Sequence, residues 1–274
     1  MVAVSVRFWG VRGSLPCPGA DTLRYGGNTA CIEVRCGDHL VVLDGGSGLR
    51  ALGEAVAPNA ALDADILFSH FHLDHVIGLP FFRPAYDPST RLRLWSAPSI
   101  SGETLAEVLP RLMSTSLFPV STASLKAALD FRTFQRGDVL ALNAAIRVRT
   151  AALNHPGGAT GYRIEHGGKA IVYVSDVEHY DGAIDPQIAA LAADADLLVY
   201  DANYTDAEYA QHVGWGHSTW KEAVRLADAA KVKQLALFHH DPSHGDAMMD
   251  QIGAAAGAAR PGTFVAREGA SVVL

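Results

Sequence analysis

Residues 68–78 read FSHFHLDHVIG, which places His70, His72, Asp74 and His75 within six positions directly behind an apolar run. The run itself, Asp65-Ile66-Leu67-Phe68-Ser69, has the length and composition of a buried strand. In an extended segment residues two apart point the same way, so His70 and His72 share a face. Asp74 and His75 fall where the chain turns into a helix and can aim at a neighbouring point. One segment can therefore serve two metal ions. Imidazole and carboxylate are ligands that zinc accepts, and catalytic sites leave a position open for water. Four ligand-type residues at this spacing behind a strand outweigh the reading of a polar loop with incidental histidines.

The same arrangement recurs along the chain. Apolar runs over 149–154, 170–175, 197–200 and 235–238 stop at His155, Asp176, Asp201 and His239, and a further run over 40–43 ends at Asp44-Gly45-Gly46. Polar groups collected at the ends of buried strands are where open-sheet proteins place their sites. The opening residues alternate Val2, Val4, Val6 and Phe8 like a first strand. Helices are expected over 102–113, 186–194 and 219–231. The last begins with a Thr219-x-x-Glu222 capping box, which puts His217 just ahead of a helix N-terminus. No linker-like tract interrupts the chain, so one domain is expected over 1–274.

Composition narrows the class. A hydrophobic content of 49% over 274 residues suits a sizeable core. Three cysteines without CxxC spacing argue against a disulfide framework and against a thiolate metal site. No run reaches membrane-spanning length, and the N-terminus lacks the pattern of a secretory signal, so a cytoplasmic protein with no membrane partner is expected. The net charge of -7, with arginines scattered from Arg7 to Arg267, disfavours a long polyanion as partner.

The motif HFHLDH at 70–75 resembles the HxHxDH signature of metallo-β-lactamase-fold hydrolases. Later motifs follow in that family's order: His155 in LNHPGGATGYRI, Asp176 in YVSD and His239 in LALFHH. The resemblance covers nearly the whole chain and implies an α/β fold, the metallo-β-lactamase αββα sandwich of two mixed β-sheets flanked by helices. It further implies that His70, His72 and His155 hold one metal, that Asp74, His75 and His239 hold another, and that Asp176 bridges them. Asp44 in VVLDGG matches the family's first acidic motif, which stands behind the ligands. Two divalent ions are expected; zinc, manganese and iron all suit His and Asp donors.

The C-terminal portion, DLLVYDANYTDAEYA followed by GWGHSTW, resembles ribonuclease Z and related phosphodiesterases. The resemblance implies that His217 donates a proton to the leaving alkoxide with Asp201 orienting it, so that Asp74, His217 and Asp201 are the catalytic residues. Expelling a poor alkoxide benefits from a general acid, typically worth about 10²–10⁴-fold, whereas a strained lactam or lactone needs less help. The N-terminal RFWGVRGSLPCPG and YGGNTA resemble the same group, with Arg12 and Asn28 as candidate phosphate contacts. His244 is expected in a loop near the site and His240 to point away by strand alternation. His39, His166, His179 and His212 are expected to be surface or structural.

The expected activity is dinuclear metal-dependent hydrolysis of a small phosphodiester, such as a cyclic nucleotide or cyclic ribose phosphate. Segment 83–150 shows no basic, Gly- and Pro-containing arm of the kind ribonuclease Z carries, so transfer RNA is expected to be an unlikely partner. Within it, LMSTSLFPVSTASL at 112–125 is expected to form a lid or rim, or to make a homodimer contact. The competing activities are hydrolysis of β-lactams, lactones or thioesters on the same scaffold, and a metal-retaining binding module without turnover.

Overall fold

The computed structural model describes residues 4–56, 61–180 and 182–274; Val2 of the expected first strand lies outside them. Among the described residues, six strands appear first in chain order: β1 Val4–Gly10, β2 Cys31–Cys36, β3 His39–Leu43, β4 Asp63–Phe68, β5 Arg91–Ser96 and β6 Ala128–Thr133. Then come β7 Val139–Asn143, β8 Ile146–Leu153, β9 Ala159–His166, β10 Lys169–Val174, β11 Leu197–Asp201, β12 Gln234–Phe238, β13 Thr263–Val265 and β14 Ser271–Val273. They form two seven-stranded sheets, ordered β14-β1-β2-β3-β4-β5-β6 and β13-β12-β11-β10-β9-β8-β7. Each sheet is mixed: β3 to β6 run parallel in the first, and β10 to β13 in the second.

Burial follows from the residue patterns. In β1 the alternating Val4, Val6 and Phe8 are buried, while Arg7 between them is exposed. In β4, β10, β11 and β12 nearly every position is buried, as strands covered on both faces require. Phe8, Ile32, Val41 and Leu67 of the first sheet meet Val148, Tyr162, Tyr173, Val199 and Phe238 of the second in one inner core. The helices are α1 Gly48–Ala55, α2 Leu73–Val76, α3 Leu105–Leu112, α4 Pro186–Ala192, α5 Asp206–Tyr209, α6 Trp220–Ala229 and α7 Asp246–Ala259. Leu49, Leu52, Leu105 and Leu109 from α1 and α3 cover the outer face of the first sheet. Ile188, Leu226 and Ile252 from α4, α6 and α7 cover the second. The result is the αββα sandwich expected from the sequence. No helix is long and apolar enough to cross a membrane.

One local expectation is met only by half. Thr219 caps α6 by accepting from the Glu222 amide at 3.3 Å, but the Glu222 carboxylate does not reach back to the cap. Arg225 holds it instead, Nε at 2.8 Å, because a guanidinium one turn along offers a stronger, charge-assisted bond. Complete capping boxes occur at Thr104/Glu107 and Thr205/Glu208.

The parallel register brings the C-terminal ends of β3 and β4, and of β10, β11 and β12, side by side in each sheet. Immediately beyond three of these ends, Asp44, Asp176 and His239 adopt the left-handed backbone, with φ of 60°, 61° and 60°. Non-glycine residues pay of order 1 kcal/mol or more for this conformation and retain it where surrounding structure over-determines them.

Candidate metal centre

The four residues of the opening motif lie where the spacing places them. His70 follows β4, His72 precedes the short helix α2, and Asp74 and His75 lie in it. His155 follows β8, Asp176 follows β10 by two residues and His239 follows β12 directly. These residues gather into two adjoining clusters. His70, His72, His155 and Asp176 form one; Asp74, His75, Asp176 and His239 form the other. Within each, the candidate donor atoms all lie within 4.8 Å of one another. The two oxygens of Asp176 divide between them. Oδ2 stands 3.1 Å from His75 Nε2 and 3.2 Å from His239 Nε2, while Oδ1 lies 3.8 Å from His70 Nε2 and 3.7 Å from His155 Nε2.

The donor atoms point at each other in a way that calls for a cation. His155 Nδ1–H donates to the Gly216 carbonyl at 2.8 Å, so its Nε2 carries a lone pair, and that lone pair faces His72 Nδ1 at 3.1 Å. His70 is fixed likewise: Ser69 Oγ, which donates to Asp44 Oδ2 at 2.8 Å, accepts from His70 Nδ1 at 3.0 Å. His70 Nε2 is thereby left buried without a hydrogen-bond partner among the described residues. Asp44 also takes His75 Nδ1 at 2.8 Å and the Tyr173 hydroxyl at 2.7 Å, which aims His75 Nε2 at the second cluster. Such outer partners fix the tautomer and orientation of a ligating imidazole.

Charge balance agrees. Burial, reinforced by neighbouring His75, pushes His70 well below the ordinary imidazole range, and burial lowers His72 and His155 as well. Burial opposes charge on Asp176 too, but His239, His75 and His70 hold it well below the usual carboxylate range. At His75 burial is outweighed by Asp176, Asp74 and Asp44, which raise the ring well above its ordinary value. The three carboxylates thus favour positive charge at this point, which divalent ions supply in place of protons when they bind. The residues fit metal: these His/Asp clusters are suited to it in donor type, convergence and charge.

His217 stands at the edge of both clusters, its ring stacked on His239 with centroids 5.0 Å apart and 5.4 Å from His155. Its Nδ1 contacts Asp201 Oδ2 at 2.9 Å. Burial lowers the proton affinity of this imidazole, but Asp201, then Asp176 and Asp74, raise it to about 9. The loop that carries it is anchored by a residue that sequence reading did not single out. Glu178, two positions beyond Asp176, accepts the Gly214 amide on Oε1 at 2.6 Å and the Gly216 amide on Oε2 at 2.8 Å. Since Gly216 also holds His155, Glu178 positions both histidines at once.

The remaining candidates fall outside the clusters. Arg12 is fully buried and bonds the carbonyls of Gly26, Asp241 and His244 at 2.8, 3.1 and 2.7 Å, so it ties the β1–β2 loop to the β12–α7 loop. Asn28 bonds Glu268 and Ser47. His240 points away, bonding the Ala266 carbonyl at 2.8 Å, and burial lowers it to about 3. His244 pairs with Glu208 at 2.9 Å. His179 contacts Ser218 Oγ beside His217, and His212 stacks on Tyr204; His39 pairs with Asp65, and His166 bonds the Ala145 carbonyl. In segment 112–125 Phe118 packs on Phe81, and the cavity beside His70 and His72 is lined by residues of 97–111 together with Arg136, Gly157 and Gly158.

A family model for the beta-lactamase superfamily domain matches residues 39–240, and the chain belongs to that superfamily. It is a metal-dependent hydrolase of this class. Ribonuclease Z of Gemmatimonas aurantiaca is 26% identical over 323 residues, spanning 98% of this chain and 95% of that protein. Among solved structures, the metallo-beta-lactamase fold protein YhfI from Bacillus subtilis has a TM-score of 0.75 at 21% identity, with both chains fully covered. Human tRNase Z, short form, has a TM-score of 0.71 at 19% identity over 98% of each chain.

These relatives overturn the expectation that transfer RNA is an unlikely partner, since proteins named for acting on RNA match the chain from end to end. Net charge misled because it sums the whole surface, whereas a polyanion meets only the face around the site.

Proposed function

We propose that the chain is a dinuclear metal-dependent phosphodiesterase. His70, His72 and His155 hold one divalent ion, Asp74, His75 and His239 the other, and Asp176 spans them; zinc, manganese and iron all suit these donors. Ions held there supply Lewis-acid polarisation of the phosphoryl group and water acidic enough to attack at neutral pH. The single observation that carries the reading is the His217–Asp201 pair beside the clusters. Hydrolysis of an activated or strained ring has little use for a buried imidazole kept protonated at neutral pH, whereas an alkoxide leaving from phosphorus requires a proton.

On this reading Asp201 holds His217 Nδ1–H, and Nε2–H is the proton delivered to the leaving oxygen. Asp44 and the Gly216 carbonyl hold His75 and His155 in the tautomers that present Nε2. The substrate is a phosphodiester, with a small one such as a cyclic nucleotide or cyclic ribose phosphate as the first to assay, beside a transfer RNA precursor.

The experiment compares the wild type with His217→Ala on an alkyl phosphodiester and on bis(p-nitrophenyl) phosphate, with nitrocefin and a homoserine lactone as controls. The variant should keep its metal and lose about 10²-fold or more on the alkyl ester, with a much smaller loss on the p-nitrophenyl ester, whose leaving group departs without a proton. Equal losses on both esters, or faster turnover of nitrocefin or the lactone, would overturn the proposal.

A further inference from the structure

A cavity of about 300 Å³ opens beside the clusters, with His70 and His72 on one wall. Phe71, Ser99, Arg136 and the Gly157-Gly158 backbone are among the other lining groups, which mix aromatic, hydroxyl and charged surface. Its charges do not cancel. Glu103 is occupied by Arg111, 2.5 Å away at the rim. Arg136 is half-buried and faces no carboxylate among the described residues. Its Nε and Nη2 donate to the carbonyls of Ala159 and Gly158, each at 3.1 Å, which leaves Nη1 without a protein acceptor among the described residues. Other arginines near the first sheet are neutralised, as Arg93 is by Asp63 and Asp65.

The guanidinium is held by the Gly158 and Ala159 carbonyls, directly behind two consecutive glycines. Both have left-handed φ, 81° at Gly157 and 79° at Gly158. A Cβ on Gly158 would stand 3.3 Å from Arg136 Nη2 and one on Gly157 3.7 Å from His72 Nε2, so this two-residue backbone borders the cation on one side and the cluster on the other. A partly desolvated cation without a carboxylate partner, fixed in a cavity wall next to the reacting centre, is suited to a ligand anion.

We infer that Arg136 binds a second anionic group of the substrate, so that the preferred substrate is a phosphodiester carrying a further phosphate next to the scissile one. The inference rests on the phosphodiesterase reading and adds the substrate feature that this site selects. Arg136 is then a specificity-determining residue.

The test uses the metal-loaded protein and two esters that share a leaving group, thymidine 5′-(p-nitrophenyl phosphate) and its 3′-phosphorylated counterpart. The wild type should prefer the second by about 10-fold or more in kcat/KM, the scale of a charge-assisted hydrogen bond. Arg136→Gln should collapse that ratio, while Arg136→Lys should retain part of it; because each ratio is measured within one protein sample, partial misfolding does not alter it. Calorimetric binding of thymidine 3′,5′-bisphosphate against the 5′-monophosphate supplies a readout without turnover. Equal kcat/KM for the two esters in the wild type, or a preference that survives Arg136→Gln, would overturn the inference. If neither ester is hydrolysed while the bisphosphate binds more tightly through Arg136, the cavity assignment stands and the phosphodiesterase reading fails.

Discussion

His217 Nδ1 and Asp201 Oδ2 stand 2.9 Å apart, and the carboxylate that makes this contact has no capacity left for anything else. Asp201 Oδ2 also accepts from the amides of Asp176 and Val177 at 3.0 and 3.4 Å, and Oδ1 accepts from those of Asn203 and Ser218 at 3.1 and 3.2 Å. A carboxylate offers about four lone-pair sites, so Asp201 is saturated by protein donors and its charge serves the imidazole.

A pH dependence follows from this pair. The proton affinity of His217 is raised from 6.5 to about 9, so its protonated form is present throughout neutral pH and is lost as pH rises through about 9. Turnover of an alkyl phosphodiester should fall along that limb. In Asp201→Asn the burial that lowers His217 is no longer countered, and the limb should move towards or below 6.5. Full pH–rate profiles of both proteins decide the matter; an unmoved limb would assign the titration to another group.

Removing a donor from the first cluster should remove function together with metal. His70→Ala and His72→Ala should each lose tight binding of at least one ion and lose hydrolysis, because the remaining donors are left uncompensated. Elemental analysis after dialysis should find close to two ions per chain in the wild type, as two-metal hydrolytic sites hold. One ion per chain at saturation would rule out the dinuclear arrangement.

Glu178→Gln should act at a distance. The carboxamide can accept one of the two glycine amides but presents N–H to the other, so the 214–217 loop loses an anchor. Turnover or metal affinity should fall by about 10- to 100-fold, the range for residues that orient ligands from behind. A variant with a lower melting temperature but unchanged metal affinity and unchanged kcat would show that Glu178 only supports the fold.

Arg12→Met should cost about 3 kcal/mol or more in urea denaturation, because it strips donors from the carbonyls of Gly26, Asp241 and His244 in a fully buried setting. A loss below about 1 kcal/mol, the size of an ordinary exposed contact, would mean that the two loops hold together without it.

How much of this could be read from the chain depends on the range of the interactions concerned. His70, His72, Asp74 and His75 were legible because their spacing is local, and His155, Asp176 and His239 because each follows an apolar run short enough to be a strand. Glu178 was not, since no spacing relates it to the amides of Gly214 and Gly216, which reach it only through tertiary packing. Arg12 was misread for a related reason. A cation beside a Gly-rich stretch suggests phosphate, but the fold supplies three backbone carbonyls, one from the same β1–β2 loop and two from the distant β12–α7 loop. The Thr219–Glu222 box failed locally, because Arg225 competes for the carboxylate.

The second cluster joins His75 to His239 across 164 residues of chain. Contacts of such long range are entropically costly to close and form after local ones have reduced the search. A nascent chain that has not yet paired β12 with β11 lacks His239 in place, so Asp74, His75 and Asp176 stand without their fourth donor. An ion bound to all four of these donors would therefore report that synthesis and folding have both reached residue 239.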